Sequence, residues 1–209
     1  MTPPDLIAIT DDALSDEEME TRAARLLAAV PAGSTALQLR DRRRSARALL
    51  ALAERLRSLC ARHDALFLVN DRIDVARAVD ADGAHLGGRS IDVADARRLL
   101  GDGAFLSVAA HDLRDVEAAV AGGASAALVS PIFATPGKGP PRGLALVAEA
   151  RVVAARMPIY ALGGIDAARA GDCVAAGADG VAAMRSVWAG VDGASIAGAM
   201  VRVVRSRRR

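Results

Sequence analysis

The sequence predicts a single α/β domain over residues 1–209, folded as a (β/α)8 barrel, on three observations. Eight short apolar runs recur along the chain, amphipathic helical patterns lie between them, and polar residues gather where the runs stop. Uninterrupted apolar strands alternating with helices require a parallel sheet covered on both faces. Eight units in 209 residues average about 26 residues each, which is compact for a barrel of this kind. The alternative, an open doubly wound sheet, usually has fewer strands. The first turn here, "ITDDALSDE", also lacks the G-x-G-x-x-G fingerprint of that fold.

Taken in order, "LIAIT" (6–10) opens the barrel and "TALQLR" (35–40) follows, ending in Gln38, Arg40 and then Arg42. The next segment, "SARALLALAERLRSLCARH", sets Leu49, Leu50, Leu52, Leu56 and Leu59 on one face of a 3.6-residue period and reads as a helix. "ALFLVN" (65–70) stops at Asn70 and Asp71, and "GAHLG" (83–87) carries His85 with Arg89 close behind. "FLSVAAH" (105–111) ends in His111 and leads into "LRDVEAAVAGG", a helical pattern with an aspartate near its start and glycine past its end. "AALVSPIF" (126–133) runs into "TPGKG", a loop because Gly137, Gly139, Pro140 and Pro141 exclude regular structure. "PIYALGG" (158–164) ends in Gly163 and Gly164 before the helical "IDAARAGDCVAAG". "GVAAM" (180–184) delivers Arg185 and Ser186.

Composition narrows the function. A net charge of +2 is spread over the chain except at the basic tail 205–209, "RSRRR", which reads as a flexible solvated terminus. One Tyr and one Trp offer few platforms for stacking single-stranded nucleic acid, so nucleic acid is not an expected partner. No basic-then-apolar leader opens the chain, and no apolar stretch reaches the ~20 residues of a membrane span. Cys60 and Cys173 lack metal-ligand spacing and read as small reduced core residues. The expectation is a cytoplasmic protein that binds small molecules, with no nucleic-acid or membrane partner.

In these barrels, active sites sit at the C-terminal ends of the strands. Two of those ends suit phosphate. In "ALGGID", two glycines let backbone N–H groups approach a ligand closely. In "GADGVAAMRSVW", the eighth strand enters a short segment at Arg185 and Ser186, and loops seven and eight form the recurrent phosphate site of the fold. Each alone is also ordinary turn chemistry; in consecutive units they point to a phosphate monoester. Lys138 is the only lysine among 27 Lys and Arg. A compact ammonium on a flexible stem suits a mobile phosphate oxygen, whereas the arginine fork prefers a fixed planar partner. Arg40 would supply a second cation, and Asp71 a hard oxygen ligand for Mg2+, which takes one or two carboxylates plus phosphates and water. Together these describe a pyrophosphate site distinct from the monophosphate site.

At these residues the chain resembles the thiamine-phosphate synthase family, including its thiazole tautomerase relatives. The matching pieces are "LQLRDR", "FLVNDRIDVARAVDADGAHLG", "SPIFATPGKG", "IYALGGI" and "AGADGVAAM", which together span nearly the whole chain. The resemblance implies a transferase of thiamine biosynthesis. It would join 4-amino-2-methyl-5-pyrimidinylmethyl diphosphate and hydroxyethylthiazole phosphate to give thiamine phosphate and diphosphate. By the same resemblance Gln38, Arg40, Asn70 and Lys138 hold the diphosphate, with Asp71 on its Mg2+. Thr135 contacts the thiazole or its phosphate, and Gly164 and Ser186 help bind that phosphate. Arg40 and Lys138 are the expected catalytic groups.

The chain also departs from the family pattern. The usual "HLGQED" is "HLGGRS", placing Ser90 where a second Mg2+ carboxylate is expected, with Arg89 beside it as a substitute charge. The usual "SAH" is "AAH", with Ala109 in place of a hydroxyl; Arg42 replaces a lysine, and "TxTK" is "TPGK". These losses keep two alternatives open: a thiazole tautomerase, or a non-catalytic barrel binding thiazole or thiamine phosphate. A tautomerase needs a general acid/base. Its expected histidine is Pro131 here, which leaves His85 and His111, while His63 reads as an exposed helix-end residue.

Overall fold

Every predicted run forms a strand in the computed structural model, which describes residues 2–207. The strands are β1 (Leu6–Ile9), β2 (Thr35–Leu39), β3 (Leu66–Asn70), β4 (Gly83–Leu86), β5 (Phe105–Ala110), β6 (Ala126–Val129), β7 (Ile159–Leu162) and β8 (Gly180–Ala183). Each pairs in parallel with the next, and β8 returns to β1, so the sheet is a closed barrel in sequence order. The helices are α1 (Asp16–Ala28), α2 (Ala46–Arg62), α3 (Ile73–Ala78), α4 (Val93–Leu100), α5 (Leu113–Ala121), α6 (Gly143–Ala154), α7 (Ala167–Ala175) and α8 (Gly193–Arg207). A single 3-10 turn lies at Ser186–Trp188.

Helix starts follow the side-chain chemistry. Ser15 and Glu18 form a reciprocal capping box ahead of α1, and Asp92, Asp112 and Asp166 accept a backbone N–H at the starts of α4, α5 and α7. Along α2, Leu49, Leu52, Leu56 and Leu59 are buried, with Leu50 at the edge of that face. His63 is the C-cap of α2 and is half-buried rather than exposed. No helix among the described residues is long and apolar enough to cross a membrane.

Two further expectations change. The sixth run, read to residue 133, leaves regular pairing after Val129, because Pro131 has no N–H to give the ladder. The chain still tracks the end of β7: Ile132 N donates to Leu162 O at 2.9 Å and Phe133 N to Gly163 O at 3.0 Å. The basic tail 205–209 was expected to be flexible, yet α8 continues through Arg207. Met200, Val201 and Val204 bury its inner face, and Arg205 Nε donates to Asp5 Oδ2 at 2.7 Å. Residues 208–209 lie outside the described residues.

The pleat sorts side chains into two apolar layers. Outward-facing strand residues pack under the helices, where both cysteines are buried and burial pushes each thiol up to about 12. Inward-facing Ile7, Ile9, Leu68, Phe105, Leu128 and Tyr160 fill the barrel. Tyr160 fits because β8 begins with Gly180, where an added Cβ would stand 2.7 Å from the tyrosine ring.

Toward the C-terminal ends the interior turns polar. Asn70, His85 and Ser107 are successive register partners on β3, β4 and β5. His85 Nδ1 lies 3.0 Å from Ser107 Oγ. Burial pushes the imidazole down to about 4; Asp71 opposes that shift and Arg40 adds to it. Gln38, inward on β2, is fully buried, and neither its Oε1 nor its Nε2 has a hydrogen-bond partner. An unpartnered buried amide costs about 1–3 kcal/mol. Gln38→Leu is therefore expected to raise the urea-unfolding free energy by about 1–2 kcal/mol. His85 has a folded pKa below its unfolded value of about 6.5, so unfolding takes up a proton between those two values. Its cost is absent above pH 6.5, grows as the pH falls toward 4, and reaches about 3 kcal/mol. Urea titrations across that range should show His85→Gln flattening this part of the profile.

Candidate active site

A cavity of about 420 Å3 opens at the C-terminal ends of the strands. Its lining brings together Arg40, Thr135, Lys138, Gly164 and Ser186, five of the eight residues expected in the site. Arg40 continues the inward alternation of β2. Its backbone is fixed to the end of β1, where its N donates to Thr10 Oγ1 at 2.8 Å and its O accepts from the same hydroxyl at 3.0 Å. Lys138 lies on the loop after β6, in a turn closed by its own N donating to Thr135 O at 3.1 Å.

Eleven ion pairs join described residues, and neither Arg40 nor Lys138 is in one. Burial and the neighbouring Arg42 push the Arg40 guanidinium below its ordinary value, against Asp12, Asp71 and Asp11. It stays charged. A half-buried cation with no counter-ion of its own is arranged for an anion from solution.

The same cavity is lined by the turn after β7. Gly163 and Gly164 adopt φ of +104° and +64°, a region open to glycine. A Cβ on Gly164 would stand 2.8 Å from Ala134 O and 2.9 Å from Phe133 Cβ, so the loop after β6 seats directly on it. Ser186 lines the cavity with its hydroxyl donating to Ile165 O at 2.9 Å, which leaves only lone pairs on that oxygen. Thr135 Oγ1 donates to Phe133 O at 2.9 Å.

Gln38, Asn70 and Asp71 are not in this lining; they sit on the β2–β4 side. Asp71 is near enough to Arg40 for its charge to raise the guanidinium. Its carboxylate is already engaged: Oδ1 accepts from Gly87 N at 2.9 Å and from Ser90 Oγ, and Oδ2 accepts from Asn70 Nδ2 at 2.7 Å. Burial works to raise the Asp71 pKa, but the bonds from Ser90, Gly87 and Asn70 outweigh it and hold the group below the usual carboxylate range. Ser90 thus stands beside the carboxylate as a donor, and Arg89 is exposed and outside every ion pair among the described residues. No group of three metal-ligating side chains occurs among the described residues. Asp71 Oδ2 keeps one free lone-pair direction, so the donor set fits a Mg2+ held chiefly by substrate phosphates and water.

His111 is not free in the cavity. Its Nδ1 lies 2.9 Å from Ser130 O, so that nitrogen carries the proton, and its backbone N donates to Asp115 Oδ2 at 2.7 Å. Ser130 and Met184 line the cavity without having been singled out from the sequence. Both continue the inward alternation one step past a strand end, which is the signal that locates them.

The chain matches the family model described as thiamine monophosphate synthase over residues 6–187. It is 42% identical over 186 residues to the thiamine-phosphate synthase of Methanoculleus marisnigri, covering 88% of this chain and 87% of that one. It is 42% identical over 190 residues to the thiamine-phosphate synthase of Chloroflexus aurantiacus, with 90% and 86% covered. The solved structure of thiamine phosphate pyrophosphorylase from Pyrococcus furiosus superposes with a TM-score of 0.83 at 28% identity, covering 97% of this chain and 96% of that one. A barrel at 14% identity, orotidine 5'-phosphate decarboxylase from Pyrococcus horikoshii, reaches a TM-score of 0.67 and shares the fold alone. Sequence and fold agree over the same residues: the chain belongs to the thiamine monophosphate synthase family.

Proposed function

We propose that this mouth joins 4-amino-2-methyl-5-pyrimidinylmethyl diphosphate to hydroxyethylthiazole phosphate, giving thiamine phosphate and diphosphate. The observation that carries the reading is that Arg40 and Lys138, neither in an ion pair with a described residue, face one cavity with the glycine turn after β7. A monophosphate on that turn would leave both cations for a second, more highly charged group.

The work divides accordingly. Arg40 and Lys138 hold the diphosphate from two sides, and Asn70 supports Asp71 beside them. Gln38 lies one inward step before Arg40 on β2, fully buried and outside the cavity lining, so its part in the diphosphate site is indirect. The Gly164 amide holds the thiazole phosphate, and Ser186 and Thr135 join it once their hydroxyl protons turn from Ile165 O and Phe133 O toward the phosphate oxygens. As the bond from the pyrimidine methylene carbon to the diphosphate oxygen breaks, the leaving group gathers charge between Arg40 and Lys138. The electron-rich pyrimidine stabilises the cation left behind, and the thiazole nitrogen forms the new C–N bond. Mg2+, held by Asp71, would supply further neutralisation of the diphosphate. Little proton transfer is needed, so the protein contributes position and electrostatic stabilisation.

A tautomerase needs a proton carrier in reach of its substrate. No histidine lines the cavity among the described residues, and burial holds His85 neutral with Nδ1 against Ser107. A passive monophosphate binder has no use for Arg40 and Lys138 together.

Purified protein supplied with both substrates and Mg2+ is expected to release diphosphate and form thiamine phosphate; isomerised thiazole carboxylate phosphate without coupling would mean a tautomerase, and tight binding without reaction a carrier. Lys138→Ala should lower kcat/KM for the pyrimidine diphosphate by ~10²-fold while thiazole phosphate affinity changes by less than about twofold. Equal losses for both substrates would remove the division of labour.

A further inference from the structure

Four successive carbonyls at the end of β7 are each held by a protein donor. Leu162 O and Gly163 O accept from Ile132 N and Phe133 N. Gly164 O accepts from Arg169 Nη1 at 2.7 Å, and Ile165 O from Ser186 Oγ at 2.9 Å. In a trans peptide the carbonyl and the next N–H point in opposite directions, so fixing one aims the other. The N–H groups of Gly164 and Ile165 find no acceptor among the described residues, and both residues line the cavity. Holding these carbonyls therefore leaves a row of N–H donors facing a space where an anion fits.

Among the four donors, Arg169 alone is a charged side chain. It stands in the first turn of α7 and does not line the cavity. Its guanidinium carbon lies 4.9 Å from the centroid of the Phe133 ring, and its Nε is 4.0 Å from Asp166 Oδ2. Phe133 leads directly into Thr135 and Lys138. One guanidinium thus grips the turn after β7 by a charge-assisted hydrogen bond and the loop after β6 by a cation–π contact.

We propose that Arg169 is a positioning residue: by holding Gly164 O it aims the Ile165 amide at a phosphate group, and through Phe133, whose own N–H fixes the peptide of the Gly164 amide, it seats the Lys138 loop against that turn. The inference rests on the synthase reading only for the identity of the phosphate ester. Arg169 acts through Gly164 and touches no substrate.

Inorganic phosphate is the probe, measured by calorimetry, alongside KM for each substrate and the urea midpoint. Arg169→Ala is expected to raise the phosphate Kd and the thiazole phosphate KM about tenfold, the effect of one charge-assisted hydrogen bond. The KM for the pyrimidine diphosphate should rise by less, about threefold, because the Lys138 loop loses one of its holds, and the urea midpoint should hold, since this side chain is half exposed. Arg169→Lys keeps a cation over Phe133 and an N–H for Gly164, and should recover phosphate binding to within about threefold of the parent. Unchanged phosphate binding in Arg169→Ala overturns the proposal. So does a rise in both KM values with a lowered urea midpoint, which marks a purely structural role. Coupling by the parent protein together with unaltered phosphate binding in the variant overturns the role of Arg169 and leaves the synthase reading standing. Lost phosphate binding in the variant without coupling by the parent does the reverse.

Discussion

Closing eight parallel strands into a barrel puts every second side chain into one shared interior, and the site depends on that constraint. Alternation along β2 carries Ala36, Gln38 and then Arg40 up the same inner wall, from apolar packing to a buried amide to a cation at the mouth. The same step takes β3 from Leu68 to Asn70, and β5 from Phe105 to Ser107. On β3, β4 and β5 the change falls on register partners, Asn70, His85 and Ser107, while on β2 it begins one inward step earlier, where Gln38 pairs with Leu68. The polar layer is therefore a property of the sheet as a whole and not of any one loop.

The two sides of the mouth are built on opposite principles. On the β3–β4 side the polar groups satisfy one another: Asp71 is held by Asn70, Gly87 and Ser90, and His85 meets Ser107. Around the cavity, the Arg40 and Lys138 side chains and the Gly164 and Ile165 amides have no hydrogen-bond or ion-pair partner among the described residues. Self-satisfied groups give shape and a fixed charge, while unsatisfied ones give affinity for whatever enters. Removing donors from solvent into a partly buried wall is costly unless an anion meets them, so the second side favours occupation over emptiness. Ser90 illustrates the first principle. A carboxylate at that position would have repelled Asp71 in the empty site, whereas a hydroxyl donates to it.

Much of this was legible in the residues. The eight apolar runs place the start of each strand to within one residue, because a strand covered on both faces has to be apolar throughout. Run six was overextended because Ile132 and Phe133 are as apolar as a strand, and only their partners, the carbonyls after β7, reveal an irregular approach. Over 205–207 the chain is helical for a related reason: charge suggests solvation, but Arg205 finds Asp5, some 200 positions earlier. Arg40, Lys138 and the glycine turn could be found because strand ends converge in this fold. The engagement of Asp71 with Ser90 and the reach of Arg169 to Phe133 are contacts between separate loops, and no local pattern encodes them.

The way the glycine turn is held has a consequence for the whole mouth. Gly164 has no room for a Cβ because Ala134 O and Phe133 Cβ lie against it, so the loop after β6 and the turn after β7 cannot shift independently. A ligand that tightens the turn also restrains Phe133, and through it the short stretch carrying Thr135 and Lys138. Lys138 itself is exposed on a segment with few contacts, and its stem is flexible. Order at the anion turn is thus passed to the cation that must meet the second substrate. The link runs through packed backbone and one aromatic ring, and it requires no movement of the barrel.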